Sequence, residues 1–170
     1  VKTIVTTPMA QKIADAYHVE LRDVFTGFKF IGEQIGLLEK SGEADRFIFG
    51  FEESYGYLSY SDVRDKDAVN ASLLICEMFA YYKEKGLSLI QVLNSLYQTY
   101  GYYLEKLLSF QFEGEKGFSD MQKMMVSLQE NSVSKILSWE VESFSDYQKS
   151  IKVTSKGKKV PILLPRSNVV

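Results

Sequence analysis

Arg46-Phe47-Ile48-Phe49-Gly50-Phe51-Glu52-Glu53-Ser54-Tyr55-Gly56-Tyr57 is the stretch whose reading decides the fold of this chain. Its first part is short, aromatic and β-branched, which predicts a strand buried on both faces of an α/β sheet. Two carboxylates, a hydroxyl and a permissive glycine follow at once. In open α/β sheets ligands bind outside the carboxyl ends of the strands, so the stretch predicts a ligand-reading loop at such an end.

Upstream, Val1 to Thr6 reads as a strand, with Thr7 as a helix N-cap and Pro8 in the first helical position. Met9, Ile13, Ala16 and Tyr17 recur at helical spacing. Val19 to Val24 alternates apolar and charged residues, the pattern of a second strand, and runs into Thr26-Gly27-Phe28-Lys29 as a second loop at a strand end. Ile31, Ile35 and Leu38 predict a short helix ending near Gly42, and Arg46 to Phe51 is the third strand. Strand, helix, strand, helix, strand is a parallel α/β unit with right-handed crossovers. The expected fold is a three-layer α/β/α domain with a mixed, mostly parallel sheet of about four strands.

Downstream of the loop, Ala71, Leu74, Ile75, Met78, Phe79 and Tyr82 mark the most strongly periodic helix of the chain, closed by Gly86. Ser88-Leu89-Ile90-Gln91 is a capping box for another helix with Leu89, Leu93, Leu96, Tyr97 and Tyr100 inward. Tyr102 to Phe112 reads as a strand. Ser119-Asp120-Met121-Gln122 reads as a second capping box, with Met124, Met125 and Leu128 on one face. From Lys135, alternation around Leu137, Trp139 and Val141 and then Ile151 to Thr154 predicts short strands or a ribbon. Ser155 to Lys159 is a charged turn, Val160 to Pro165 is apolar without an obvious partner, and Asn168-Val169-Val170 has the look of a strand starting. The expected division is an α/β/α domain over residues 1–132 and a linker over 133–170 that leads towards a further domain.

The 170 residues are 45% hydrophobic with three prolines, enough for one buried core. A net charge of -2 from interspersed signs gives no basic stripe for nucleic acid. No apolar run approaches the roughly 20 residues of a membrane span, and Cys76, the single cysteine, has no partner for a disulfide. The expected setting is cytoplasmic, and the start at Val1, with no initiator Met or leader, suggests a piece of a longer protein. With His18 as the sole histidine, a Ser-His-Asp arrangement or a histidine-rich metal site is unavailable. Neither a GxGxxG fingerprint nor a GxxxxGK[ST] loop is present.

Glu52 accepts hydrogen bonds only, so it suits two neighbouring sugar hydroxyls, while Ser54 both donates and accepts. Gly56 permits close approach of a ligand or positive φ. The plainer reading is an acidic surface turn. Lys29, beside Thr26 and Gly27, could meet a phosphate or a sugar oxygen, or be merely solvated. In Arg64-Asp65-Lys66-Asp67 the aspartates suit a helix start but the cations do not, which singles out Lys66. Cys76 reads as a small buried hydrophobe and the helix-face aromatics as core.

Thr26-Gly27-Phe28-Lys29-Phe30-Ile31-Gly32, Gly50 to Tyr57 and Arg64-Asp65-Lys66-Asp67, in this order and spacing, resemble the third domain of the α-D-phosphohexomutases, with the phosphoglucomutases and phosphomannomutases nearest. Tyr97-Gln98-Thr99-Tyr100-Gly101-Tyr102-Tyr103 and Leu164-Pro165-Arg166-Ser167-Asn168-Val169 are also similar to that family. The resemblance implies an intramolecular phosphotransferase that interconverts hexose 1-phosphate and 6-phosphate through a hexose 1,6-bisphosphate. It implies substrate binding by Glu52 and Ser54, with Lys29, Thr26 and Gly27 lining the same cleft, and a supporting catalytic role for Lys66 in neutralising the transferring phosphoryl group. Glu53 fits the motif but points away from Glu52 if the loop is extended, and Arg64 is equally open to a structural pairing with Asp65 or Asp67, so neither is assigned a role beyond proximity.

The phosphoserine, the Mg2+ loop and the phosphate loop of the family belong to its other domains. This sequence holds no loop of the TASHNP, DGDADR or RPSGTEP kind. Partners implied are the hexose phosphates and the remaining domains, with Mg2+ bound outside this chain and no metal ligands within it. The alternatives are a phosphopentomutase-type specificity, a stand-alone carbohydrate-binding module without catalysis, and a nucleotide-binding α/β domain.

Overall fold

A computed structural model describes residues 1–131 and 133–164. The strand expected from Asn168, and most of the Leu164 to Val169 motif, lie outside the described residues. The chain divides into two compact units, Val1–Lys106 and Leu107–Val170.

The first unit is the expected α/β/α arrangement. Its elements are β1 (Lys2–Thr3), α1 (Met9–Ala16), β2 (Asp23–Val24), α2 (Phe28–Lys40), β3 (Gly50–Phe51), β4 (Tyr57–Leu58), α3 (Ala68–Glu84) and α4 (Leu89–Tyr100). The sheet order is β2-β1-β3-β4. β1 runs parallel to both β2 and β3, with Lys2 opposite Asp23 and Phe51, and β4 returns antiparallel. The sheet is therefore mixed and mostly parallel. Its chain path moves one way through α1 and back through α2, which with right-handed crossovers places those helices on opposite faces.

The core lies under α2. Phe28, Ile31, Ile35 and Leu38 recur at helical spacing and pack with Val24, Phe47 and Leu58. Gly42, at φ 73, ends this helix in the left-handed conformation that its sequence position predicts. Gly50 is required by packing rather than by its dihedrals. A Cβ there would lie 2.5 Å from Cγ2 of Ile31 and 2.9 Å from Cζ of Phe47.

Several expectations about local structure need correction. The strand forecast over Arg46 to Phe51 is shorter, because Ala44–Arg46 forms a 3-10 turn and the ladder holds only Gly50–Phe51. It is not buried on both faces: Phe47 enters the core, whereas Ile48 is 57% exposed. The face carrying Phe49 and Phe51 looks into an open cleft of about 830 Å3 that Ile13 of α1 and Tyr17, the residue after it, also line. Helix α1 starts one residue late, with Pro8 at the cap and the Thr7 hydroxyl accepting from the Met9 amide at 3.4 Å.

Helix α3 forms where its period predicts, but none of its residues is buried. Cys76 is exposed, not a core residue, and Phe79 and Tyr81 are exposed as well. Periodicity reports a helix with an apolar face; it does not report what covers that face. The capping box of α4 is present, with Ser88 Oγ accepting from the Gln91 amide and Gln91 Oε1 from the Ser88 amide. Tyr102 to Phe112 is neither strand nor helix. A strand exists only against a partner, and the described sheet ends at β4.

The second unit holds α5 (Gly114–Glu130), a two-stranded ribbon of β5 (Lys135–Ile136) and β6 (Trp139–Glu140), and a sheet of β7 (Ser143–Asp146), β8 (Ile151–Thr154) and β9 (Lys159–Pro161). The expected ribbon is therefore observed. The second capping box is not, since Ser119 lies inside α5, which begins at Gly114. Val160 and Pro161, which had no evident partner in sequence, pair with Lys152 and Ile151.

Gly50→Ala is expected to destabilise the first unit by about 1–3 kcal/mol, the usual cost of overpacking a tight core. Chemical denaturation of the wild type and variant measures this directly. A difference within error would show that Ile31 and Phe47 can move aside.

Candidate functional site

The site is assembled at the carboxyl end of β3. The chain leaves Phe51 and returns at Tyr57 through a loop closed by the Glu52 amide donating to the Gly56 carbonyl at 3.0 Å. Closure in so few residues needs one left-handed residue. That residue is Tyr55, at φ 64, and not the glycine. Gly56 serves another purpose: a Cβ on it would sit 2.7 Å from Oε1 and 2.8 Å from Cγ of Glu52. The expectation of positive φ at Gly56 is thus corrected, and its open side houses the Glu52 side chain.

Glu52 is 4% exposed, and its Oε1 accepts from Lys66 Nζ at 2.9 Å. A buried carboxylate needs a partner, because desolvating an unpaired charge is costly. Lys66 is the more exposed member of the pair. The hydrogen bond from its ammonium to Glu52, reinforced by the charge attraction, raises its pKa above the ordinary lysine value. The Lys66 Nζ also lies 6.0 Å from the centre of the Phe28 ring, at the first turn of α2. Glu52, Lys66 and Phe28 tie together the three stretches singled out in the sequence.

The segment that carries Lys66 is held against α2 by backbone contact. Gly32 leaves room for the Arg64 carbonyl, which would be 2.3 Å from a Cβ at that position. The Arg64 guanidinium pairs with Glu39 and donates to the Ser61 carbonyl. Of the pairings open to Arg64, the structure has neither the one with Asp65 nor the one with Asp67. Asp65 instead accepts from the Lys66 amide at 2.8 Å, and Asp67 caps α3 by accepting from the Val69 and Asn70 amides at 2.9 and 3.0 Å. The Tyr60 hydroxyl also donates to Asp67, and this bond, followed by the Asn70 amide, holds the Asp67 pKa below the ordinary value.

The remaining expected residues stand as follows. Ser54 is exposed within the loop. Thr26 is exposed, and Gly27, at φ 117, turns the chain into α2. Phe28 and Lys29 are helical rather than part of a loop, and Lys29 Nζ lies 4.9 Å over the Phe30 ring with no carboxylate partner among the described residues. Glu53 turns away from the Glu52 partner and accepts from Thr3 Oγ1 at 2.7 Å. Sequence reasoning missed Gly32 and Thr3; a glycine inside a helix was the only available signal for the first. Among the described residues no three His, Cys, Asp or Glu side chains gather where a metal ion could be held.

The model of the phosphoglucomutase/phosphomannomutase family's alpha/beta/alpha domain III matches residues 1–100. The chain belongs to this family. It is similar to a phosphoglucomutase of Staphylococcus saprophyticus, 29% identical over 171 residues that cover 100% of this chain and 31% of the relative. A phosphoglucomutase of Staphylococcus aureus is 34% identical, over 100% of this chain and 30% of the relative. One of Staphylococcus epidermidis is 31% identical, over 99% and 31%. The chain thus spans about a third of the length of these curated relatives. No solved structure matches it. Among the described residues, no helix of this domain is long and apolar enough to cross a membrane.

The depressed pKa of Asp67 has a definite sign. A carboxylate whose folded pKa is lowered contributes stability that is present above its unfolded value, about 3.9, and lost as pH falls through the lower folded value. Asp67→Asn should therefore lower the melting temperature most at neutral pH, with the gap from wild type closing as pH falls below about 4, so that the acid limb of the variant is flatter. An unchanged acid limb in calorimetry would mean that Asp67 does not feel Tyr60.

Proposed function

We propose that this chain is the sugar-recognition domain of a phosphoglucomutase/phosphomannomutase-type enzyme, one that interconverts hexose 1-phosphate and 6-phosphate through a bisphosphorylated sugar. The observation that carries the proposal is the buried Glu52 carboxylate at the end of β3, paired with Lys66 and two residues from an exposed Ser54. Such a carboxylate keeps lone pairs for two sugar hydroxyls after Lys66 is satisfied. Ser54 supplies a group that both donates and accepts.

Hydroxyls that keep their identity when the bisphosphate turns over are the right target for this loop, since it can hold either orientation. Lys66 is placed to neutralise charge on the transferring phosphoryl group, the main demand of phosphoryl transfer. Its raised pKa keeps the ammonium charged at neutral pH. Lys29, with Thr26 and Gly27, lines the same end of the sheet and offers a cation free of carboxylate partners among the described residues. In this reading residues 1–132 are the third domain and 133–170 lead towards a fourth. The phosphoryl donor, a Mg2+ ion and the main phosphate anchor lie outside this chain, in a cytoplasmic enzyme.

In the full-length enzyme Glu52→Gln is expected to lower kcat/KM by about ten- to a hundredfold, the equivalent of one hydrogen bond to a charged group. Steady-state kinetics with glucose 1-phosphate decides the matter. A wild-type value for the variant would remove Glu52 from the site.

A further inference from the structure

The loop from Glu52 to Gly56 is held at its two ends by β3 and β4, but its middle is held by a third strand. Thr3, at the end of β1, is fully buried, and Thr6, in the turn that follows it, is 9% exposed. Their hydroxyl oxygens are 2.6 Å apart. Thr3 Oγ1 donates to Glu53 Oε2 at 2.7 Å, and Thr6 Oγ1 lies 3.5 Å from the same oxygen. Each hydroxyl has one proton. With that of Thr3 given to Glu53, the short contact between the threonines requires Thr6 to donate to Thr3, so the proton chain runs from Thr6 through Thr3 to Glu53.

The turn that presents these hydroxyls is itself fixed. The Thr6 amide donates to the Thr3 carbonyl at 3.1 Å. Lys2, 4% exposed, closes over it, its Nζ donating to the Thr3 and Thr6 carbonyls at 3.2 Å each and pairing with Asp23 at 2.8 Å. A buried lysine is an expensive group to retain, and every one of its bonds here braces the turn or ties it to β2. Glu53 is thereby pinned to the sheet at the midpoint between the two residues assigned to the sugar.

We propose that Thr3 and Thr6 are positioning residues for the sugar-binding loop, acting through Glu53 to fix where Glu52 and Ser54 present their oxygens. This rests on the reading of the loop as a sugar clamp. Glu53 itself touches no sugar: its carboxylate faces β1. Without the anchor, the chain between Phe51 and Tyr57 keeps its closing bond from Glu52 to Gly56, but the peptides at Glu53 and Ser54 are free to swing. Preorganisation is lost while the fold remains, and the loss falls on substrate binding.

The test is a double-mutant cycle in the full-length enzyme, with Thr3→Val, Thr3→Ser, Glu53→Ala and the Thr3→Val/Glu53→Ala pair. Thr3→Val is nearly isosteric and should lower kcat/KM for a hexose phosphate about tenfold, mostly through KM, a loss of about 1.4 kcal/mol. Thr3→Ser, which keeps the donor, should restore most of it. The pair should be no worse than Glu53→Ala alone. Multiplicative losses in the pair, or a Thr3→Val enzyme with wild-type KM, overturn the proposal. Thr6→Val supplies the second arm should Thr3→Val fold poorly, with a smaller rise in KM expected and wild-type KM again contrary to the proposal. Glu52→Gln, run alongside, separates the two levels. If it has no effect the sugar-clamp reading falls; if it is impaired while Thr3→Val binds normally, only the positioning role falls.

Discussion

A few backbone hydrogen bonds between β1 and β3 set the geometry on which everything else in the first unit depends. The Val1 nitrogen donates to the Phe49 carbonyl at 2.8 Å, and the Phe51 amide donates to the Val1 carbonyl at 3.2 Å. This parallel ladder brings residues some fifty positions apart in sequence to the same edge of the sheet. The ends of β1 and β3 then lie side by side, and both Thr3 and Glu53 become available to each other. Short parallel ladders are stable only when both their faces and their flanking helices hold them in place. Here α2 contributes to that support through Ile31, which with Phe47 lies close against Gly50.

The alternation of strand and helix up to Phe51 was legible in the sequence, as were the ends of α2 at Gly42 and α3 at Gly86, because each rests on local chemistry. Periodicity, glycine in the left-handed region and capping boxes are properties of a few neighbouring residues. What could not be read were features decided by distant partners. Tyr102 to Phe112 has the composition of a strand but no ladder to join. Ser119 has the capping signature but lies inside a helix already started at Gly114. The apolar face of α3 predicted a core, yet Ile75, Met78 and Phe79 are exposed.

The same division applies at the site. Glu52, Ser54 and Lys66 could be marked as unusual from their setting alone: carboxylates after an apolar run, and cations at the unfavourable end of a helix. The partner of Lys66 could not, because fourteen positions separate it from Glu52 and only the return of β4 brings them to 2.9 Å. Arg64 shows the converse. Its neighbours Asp65 and Asp67 were the natural guesses, but both aspartates are engaged with backbone amides, which leaves Arg64 to reach Glu39 across the surface of α2.

The contact between Gly32 and the Arg64 carbonyl gears the segment before α3 to α2. A helix that carries another segment's peptide where its own side chain would stand cannot slide or roll against it without a collision. Residues 61 to 65 therefore travel with α2 as one piece, and β3 is keyed to the same helix through Gly50. Freedom at Lys66 is left to the lysine's own torsions and to the short backbone between Asp65 and Asp67. If Lys66 acts on a phosphoryl group as proposed, it leaves Glu52 by a swing of its four-carbon arm, on the timescale of side-chain rotation, while the loop from Glu52 to Gly56 stays still.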